Sequence, residues 1–159
     1  MSYFFLKQLG EYTYVGQGVF QVVRKNANEN EDGTPPLTEI DIREAARFVS
    51  QHGLKDLPWQ LSAESIAQMK PPACAYRNGN ALVVISNPQV DHIVLWSLLV
   101  EAQVRGHGLG TGTLRAMIAK YPGKTWHVPA LFPEELGKTF ERAAFERESL
   151  SQWQMKLTL

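Results

Sequence analysis

Cysteine is almost missing from this chain. Cys74 stands alone among 159 residues, so no disulfide can form within the chain. A lone cysteine makes a cytoplasmic location the simpler expectation. Histidine is sparse as well: the four residues are scattered without the close spacing of a metal site, and no metal is expected. No apolar run nears the ~20 residues that cross a bilayer. The opening stretch, Met1 to Lys7, lacks a basic start and a small-residue cleavage site, so neither a secretory leader nor a membrane partner is expected. Charge of one sign is also lacking. Lys+Arg and Asp+Glu number 16 each, for a formal net charge of zero. Strong nucleic-acid binding rests on clustered basic charge and is not expected. What remains is a chain with 44% hydrophobic residues, whose length suits one domain, 1–159, around one core.

Glycine, by contrast, is concentrated. The segment Leu98-Leu99-Val100-Glu101-Ala102-Gln103-Val104-Arg105-Gly106-His107-Gly108-Leu109-Gly110-Thr111-Gly112 begins apolar and ends with every second residue a glycine. It reads as a strand, a tight loop and a helix N-terminus. Such a loop turns several backbone N–H groups one way, with the positive end of a helix dipole behind them. A phosphate or diphosphate is the natural tenant. The alternative is a glycine-rich turn without a ligand, although glycine costs roughly 0.5–1 kcal/mol relative to alanine inside regular structure. Two familiar phosphate loops do not fit. Gly123-Lys124-Thr125 ends like a P-loop, but the first glycine would have to stand at Ile118. The dinucleotide pattern G-x-G-x-x-G places its last glycine on Thr111 or Thr113.

The remaining chain reads as alternating elements. Tyr3 to Val15 is rich in aromatics and supplies an extra short strand or two. Phe20 to Arg24 alternates like a strand. Thr38 resembles a helix N-cap with Asp41 three residues on, and Ile42, Ala45, Ala46 and Val49 form an apolar stripe ending near Gly53. Ser62 caps a short helix carrying Ile66 and Met69, stopped by Pro71-Pro72. Asn78-Gly79 marks a hairpin between strands at Ala73 to Tyr76 and Ala81 to Ile85. Asn87-Pro88 turns the chain into a strand from Ile93 to Val104. A third helix spans Leu109 to Tyr121, with Leu114, Met117, Ile118 and Tyr121 inward, and Tyr121-Pro122-Gly123 stops it. A strand follows at Thr125 to Leu131. Pro133-Glu134-Glu135 opens a fourth helix, with Leu136, Phe140 and Ala143 or Ala144 inward. Gln152 to Leu159 alternates as a last strand. Lone Cys74 has no activating neighbour in sequence and reads as buried and inert.

Arg105-Gly106-His107-Gly108-Leu109-Gly110 matches the pattern R/Q-x-x-G-x-G/A. Leu98 and Val100 stand where the longer strand–loop pattern has Leu and Val, and Ala102 replaces its proline. Together they resemble the acetyl-CoA-binding motif of the GCN5-related N-acetyltransferases, the GNAT superfamily. The resemblance covers roughly Val19 to the C-terminus. It leaves 1–17 as an N-terminal extension and 26–37 as a mobile acidic loop. It implies an α/β fold: a mixed, mostly antiparallel sheet, a splayed fourth and fifth strand, about four helices, and a closing strand pair at the end of the chain.

The resemblance also implies a function: acetyl-CoA as co-substrate and transfer of its acetyl group to an amine of a small molecule or protein. Leu99 and Val100 would offer backbone to the pantetheine arm. Amides from Val104 through Gly106, His107, Gly108, Leu109, Gly110 and Thr111 would hold the diphosphate, with Arg105 adding charge. An amine has a pKa near ~10.4 and must lose a proton. Glu101, beside Val100, and His127, on the adjacent strand, are candidate bases, each also readable as a structural strand residue. The family's proton-donating tyrosine lies in a Tyr-Glu-Lys-x-Gly-Phe-like motif. Thr139 to Glu146 aligns with it, yet Phe140 replaces the tyrosine and Ala144 the glycine. Pro133 stands where a cofactor-touching asparagine is usual. Ser149 or Ser151 substitutes as donor, or solvent protonates the thiolate, or the protein is an inactive GNAT-like interaction or structural protein. Many relatives pair, and a homodimer is compatible with the resemblance. The acceptor would be set by the two N-terminal helices and the turns at Pro58-Trp59 and Asn87-Pro88.

Overall fold

A computed structural model describes residues 3–15, 36–55 and 57–158. The strand expected at Phe20 to Arg24, and most of the acidic loop, lie outside these residues. The described chain runs β1 (Tyr3–Val15), β2 (Thr38–Ile40), α1 (Ile42–His52), a 3-10 turn (Trp59–Leu61), α2 (Ala63–Ala67), β3 (Cys74–Asn78), β4 (Ala81–Ile85) and β5 (His92–Val100). It continues through a 3-10 turn (Ala102–Val104), α3 (Leu109–Lys120), β6 (Thr125–Pro133), a 3-10 turn (Glu134–Leu136), α4 (Gly137–Arg142) and β7 (Glu146–Thr158).

Asn78-Gly79 makes the expected tight hairpin: Asn78 pairs with Ala81, and Gly79 takes the left-handed φ of 57° that such turns require. Every residue of β4 is buried, because helices cover both of its faces. On one face α1 lays Ala45, Ala46, Phe48 and Val49 against Ala75, Leu82 and Val84. On the other, Leu114 and Met117 of α3 pack with Val83, Ile93, Leu95 and Trp126. Each such apolar side chain contributes about 1.5–3 kcal/mol on burial.

Among the described residues the sheet has seven strands in the order β2-β3-β4-β5-β6-β1-β7. Only β5 and β6 run parallel; the other neighbours are antiparallel. Two features shape its middle. β5 carries a bulge, since Ile85 faces Leu95 while Val84 faces Ser97, and Trp96 is the extra residue. Leu98 and Leu99 then point to opposite faces, toward α3 and α1 respectively. The second feature is the β5–β6 ladder, which joins only His92–Val94 to Thr125–His127. Beyond it the strands part, while the other edges of β5 and β6 stay paired with β4 and β1.

Several sequence expectations are corrected. Tyr3 to Val15 is one strand of 13 residues, not a short strand or two, and it lies between β6 and β7. The last strand, expected from Gln152, begins earlier: β7 runs from Glu146 to Thr158 and joins the sheet through β1. Thr38 does not cap α1: Thr38–Ile40 pairs with β3, and the Asp41 carboxylate accepts from the Arg43 N–H at 2.7 Å. The strand expected to reach Val104 ends at Val100 in a 3-10 turn. Pro133 both closes β6, opposite Leu9, and caps the 3-10 turn Glu134–Leu136, so the helix expected at Pro133-Glu134-Glu135 opens as a 3-10 turn that runs into α4.

Candidate active site

The parting of β5 and β6 opens a cleft at the C-terminal end of β5. Leu98, Leu99 and Val100 form one wall, the glycine loop one end, and Leu136, Thr139 and Arg142 the side facing it. Leu54, just past α1, closes the other side.

The loop takes its shape from glycine. Gly106 and Gly108 have φ of 84° and 83°, left-handed values that cost other residues roughly 1–2 kcal/mol. A Cβ on either would meet nothing within 4 Å, so backbone geometry rather than crowding selects glycine here. Gly110 differs: a Cβ there would lie 3.2 Å from Thr139 Cγ2, where α4 approaches the loop. Gly108 is the N-cap of α3 and supplies no side-chain cap. The first helical bond runs from Gly112 N to Gly108 O at 2.9 Å, so the amides of Leu109, Gly110 and Thr111 have no partner within the helix. Leu109 to Thr111 and both glycines before them line the cleft.

Arg105 braces this loop. Its Nε donates to the Val100 carbonyl at 2.8 Å, and its Nη2 donates to the His52 carbonyl at the end of α1. A cation suits that helix C-terminus. The brace also occupies the Val100 carbonyl that the sequence offered to a ligand. His107 turns its Nδ1 back onto the carbonyls of Val104 and Arg105, 3.2 and 3.0 Å away, so the ring is part of the turn and exposed outside the cleft. A second brace comes from the hairpin. Buried Asn78 donates its Nδ2 to Thr113 Oγ1 at 3.3 Å, and Thr113 donates to the Leu109 carbonyl at 2.7 Å. The first turn of α3 is thereby tied to β3. Among the described residues the cleft lining holds two arginines and no carboxylate. That balance suits an extended ligand carrying phosphate.

The three candidate catalytic residues do not gather there. Glu101 turns toward β3, its Oε1 3.4 Å from Arg77 Nη2, on the side of β5 away from β6. His127 sits where β5 and β6 are still paired, with its Nε2 3.4 Å from Glu11 Oε1. Ser149 is exposed on β7, with β1 and β6 between it and the cleft; Ser151, also exposed, faces Gly10. The hydroxyls that line the cleft belong to Thr111 and Thr139. Phe140 is wholly buried beneath α4, its ring 5.1 Å from Tyr12 and 5.6 Å from Phe132. Burial likewise pushes the Tyr12 phenol above its ordinary pKa.

Sequence reasoning missed Leu54, Leu136, Thr139 and Arg142. Leu136, read from the sequence only as inward, lines the cleft together with Thr139 and Arg142 of α4.

Beside the cleft lies a second recess, little larger than a water molecule. Leu54, Leu98, Leu99 and Leu136 are shared between the two. Its remaining walls are Val49, Leu57, Leu61, Ser97 and Phe132. The turn at Pro58-Trp59 thus flanks this cavity, whereas Asn87-Pro88 lies before β5, at the opposite end of that strand from the glycine loop.

Solved structures place this architecture. Over 98% of the chain superposes on a protein assigned to the GNAT family from Novosphingobium aromaticivorans, at a TM-score of 0.60 and 11% identity. The chain has the fold of the GCN5-related N-acetyltransferases. Two GCN5-related N-acetyltransferase structures from Kribbella flavida align over 97% and 94% of the chain, each at a TM-score of 0.54, with 14% and 12% identity. The chain spans 66%, 38% and 58% of the lengths of these three proteins, in that order. No family model matches the chain, and no curated protein is similar to it. The GNAT fold thus appears here with β1 placed between β6 and β7. Among the described residues no helix is long and apolar enough to cross a membrane, and no cluster of three metal-ligating side chains occurs.

Proposed function

We propose that the protein is an acyl-CoA-dependent N-acyltransferase, with acetyl-CoA the simplest donor and an amine of a small molecule or protein the acceptor. One observation carries this reading: the uncapped amides of Leu109, Gly110 and Thr111 open onto a cleft lined by Arg105 and Arg142 and by no carboxylate. An anion of diphosphate type is what such a terminus binds. The Gly106 and Gly108 backbone, together with Val104 and His107 as the turn's frame, would hold it. Leu99 and Val100 would flank the pantetheine arm in the gap between the strands.

The thioester supplies an activated carbonyl. The neutral amine attacks it, an N–C bond forms, the C–S bond breaks, and the thiolate leaves. The amine loses one proton and the thiolate gains one. A thiol has a pKa near ~8.5, so near neutrality the leaving sulfur needs no strong acid. Water or the Thr139 hydroxyl at the cleft wall serves. Glu101 and His127 face Arg77 and Glu11 and would reach the amine only through water, so solvent takes its proton in this reading.

A second reading is a GNAT-like interaction or structural protein that still binds CoA. Phe140 favours it, since the family's tyrosine is replaced by a ring sealed in the core. Calorimetric titration with CoA and acetyl-CoA tests both. Binding plus thiol release across a panel of amines supports transfer. Binding without release over that panel supports the second reading. No binding at millimolar ligand ends both.

A further inference from the structure

The two arginines of the cleft are not equivalent. Arg105 is committed, since its Nε and Nη2 already donate to the Val100 and His52 carbonyls. Arg142 is not. Its backbone carbonyl accepts from Arg115 Nη2 at 2.8 Å, but its own guanidinium has no hydrogen bond or ion pair among the described residues. Of the described residues that line the cleft, Arg142 is thus the uncommitted cation. We infer that Arg142 binds the phosphate monoester on the adenosine ribose of CoA and makes the site prefer CoA to its 3′-dephospho form. The inference rests on the acyl-CoA reading above.

Position along the cleft assigns Arg142 to this phosphate rather than to the diphosphate. Leu136, at one end, also walls the recess beside Leu98 and Leu99. Thr139 comes next and stands against the glycine loop: a Cβ on Gly110 would lie 3.2 Å from its Cγ2, and its carbonyl accepts from Thr111 Oγ1 at 3.5 Å. Arg142 follows one turn later on α4, roughly 4.5 Å further along the axis. Its neighbour there is Arg115, one turn past Thr111 on α3. Exposure rises in the same direction: Leu136 and Thr139 are half-buried, and Arg142 is exposed. A ligand with its thiol arm along Leu98 to Val100 and its diphosphate on the α3 amides brings its next group to Arg142. In CoA that group is the phosphorylated ribose. A phosphate monoester carries roughly −1.5 to −2 charges near neutrality. A guanidinium meets two of its oxygens at once, and Arg115 adds positive charge beside it.

The test is calorimetric titration of the full chain with CoA and with 3′-dephospho-CoA. The wild type should bind CoA about tenfold more tightly. Arg142→Gln should lose that factor for CoA, change little for 3′-dephospho-CoA and so bind the two alike. Arg142→Glu, which reverses the charge, should favour 3′-dephospho-CoA. Arg105→Lys, which alters the loop, should weaken both ligands by the same factor. Equal affinity of the wild type for both ligands overturns the inference while leaving acyl transfer standing. So does equal weakening of both by Arg142→Gln, since the arginine then serves the diphosphate or the fold. So too does loss of the preference in Arg115→Gln with its retention in both Arg142 variants. Failure of the wild type to bind either ligand removes the parent reading and this one with it.

Discussion

Phe145 donates its backbone N–H to the carbonyl of Phe140 at 3.0 Å, and the two rings stand 5.9 Å apart. Ala144 donates to Glu141 at 2.9 Å inside this loop and has a φ of 68°. That is the helix-ending motif in which a glycine normally takes the left-handed position. Its position explains why the family's motif has glycine where this chain has Ala144. Alanine keeps the geometry because the two phenylalanines fix both sides of the turn.

Ala144→Gly should therefore stabilise the protein. Relief of the left-handed alanine gains roughly 1–2 kcal/mol, and the freer unfolded chain returns ~0.4–1 kcal/mol of it. A net rise in Tm by differential scanning fluorimetry is expected. A fall would mean that the alanine methyl makes contacts worth more than the strain.

Restoring the family's tyrosine at Phe140 should not restore a proton donor. The ring is sealed among Tyr12, Phe132 and Phe145, and an unpaired buried hydroxyl costs about 1–3 kcal/mol. Phe140→Tyr should lower Tm and leave turnover unimproved in a thiol-release assay. A higher rate with unchanged Tm would show that this side chain reaches the cleft.

Two loop variants separate shape from charge. Gly108→Trp places an indole in the open cleft and should abolish CoA binding while the far-ultraviolet spectrum persists. Arg105→Lys keeps the positive charge but loses the fork that spans Val100 and His52. A loss of about tenfold in CoA affinity, or 1.4 kcal/mol, is expected from titration. Unchanged affinity in Gly108→Trp would refute the loop as the binding element.

Alkaline pH should weaken the fold through a different cluster. Tyr76 and Tyr121 share a hydrogen bond of 2.5 Å, and Cys74 Sγ lies 3.7 Å from the Tyr76 hydroxyl. Burial raises the Cys74 thiol above its ordinary 9.0 and the Tyr76 phenol well above its ordinary 10.0. Both groups are held protonated in the folded state. Their contribution is thus intact below about pH 9 and is lost as pH climbs past 9 and then 10. Urea unfolding at pH 7, 9 and 10.5 should show this decline, and Tyr76→Phe should flatten its upper part. For the same reason Cys74 should react slowly with thiol reagents at neutral pH.

Local chemistry was legible in the sequence, and long-range partnership was not. Glycine spacing located the loop and the start of α3 because φ and dipole requirements are written residue by residue. Asn78-Gly79 did the same for the hairpin. Nothing in Tyr3 to Val15 names β6 as its partner, since alternation fixes which side a residue faces and not which strand lies beside it. Glu101 illustrates a similar limit. Its place next to Val100 was readable, but its rotation toward Arg77 depends on a residue on β3. The cleft wall from α4 was hidden because its face carries one leucine, one threonine and one arginine, too mixed for a periodicity argument.

The position of β1 has a consequence for biosynthesis. Its partner β6 is synthesised long after it, a wait on the order of 5–20 s at usual translation speed. Until then a strand destined for the interior has neither neighbour. Since β7 pairs, among the described residues, with β1 alone, removing Tyr3–Val15 would leave β7 with no strand partner in the sheet.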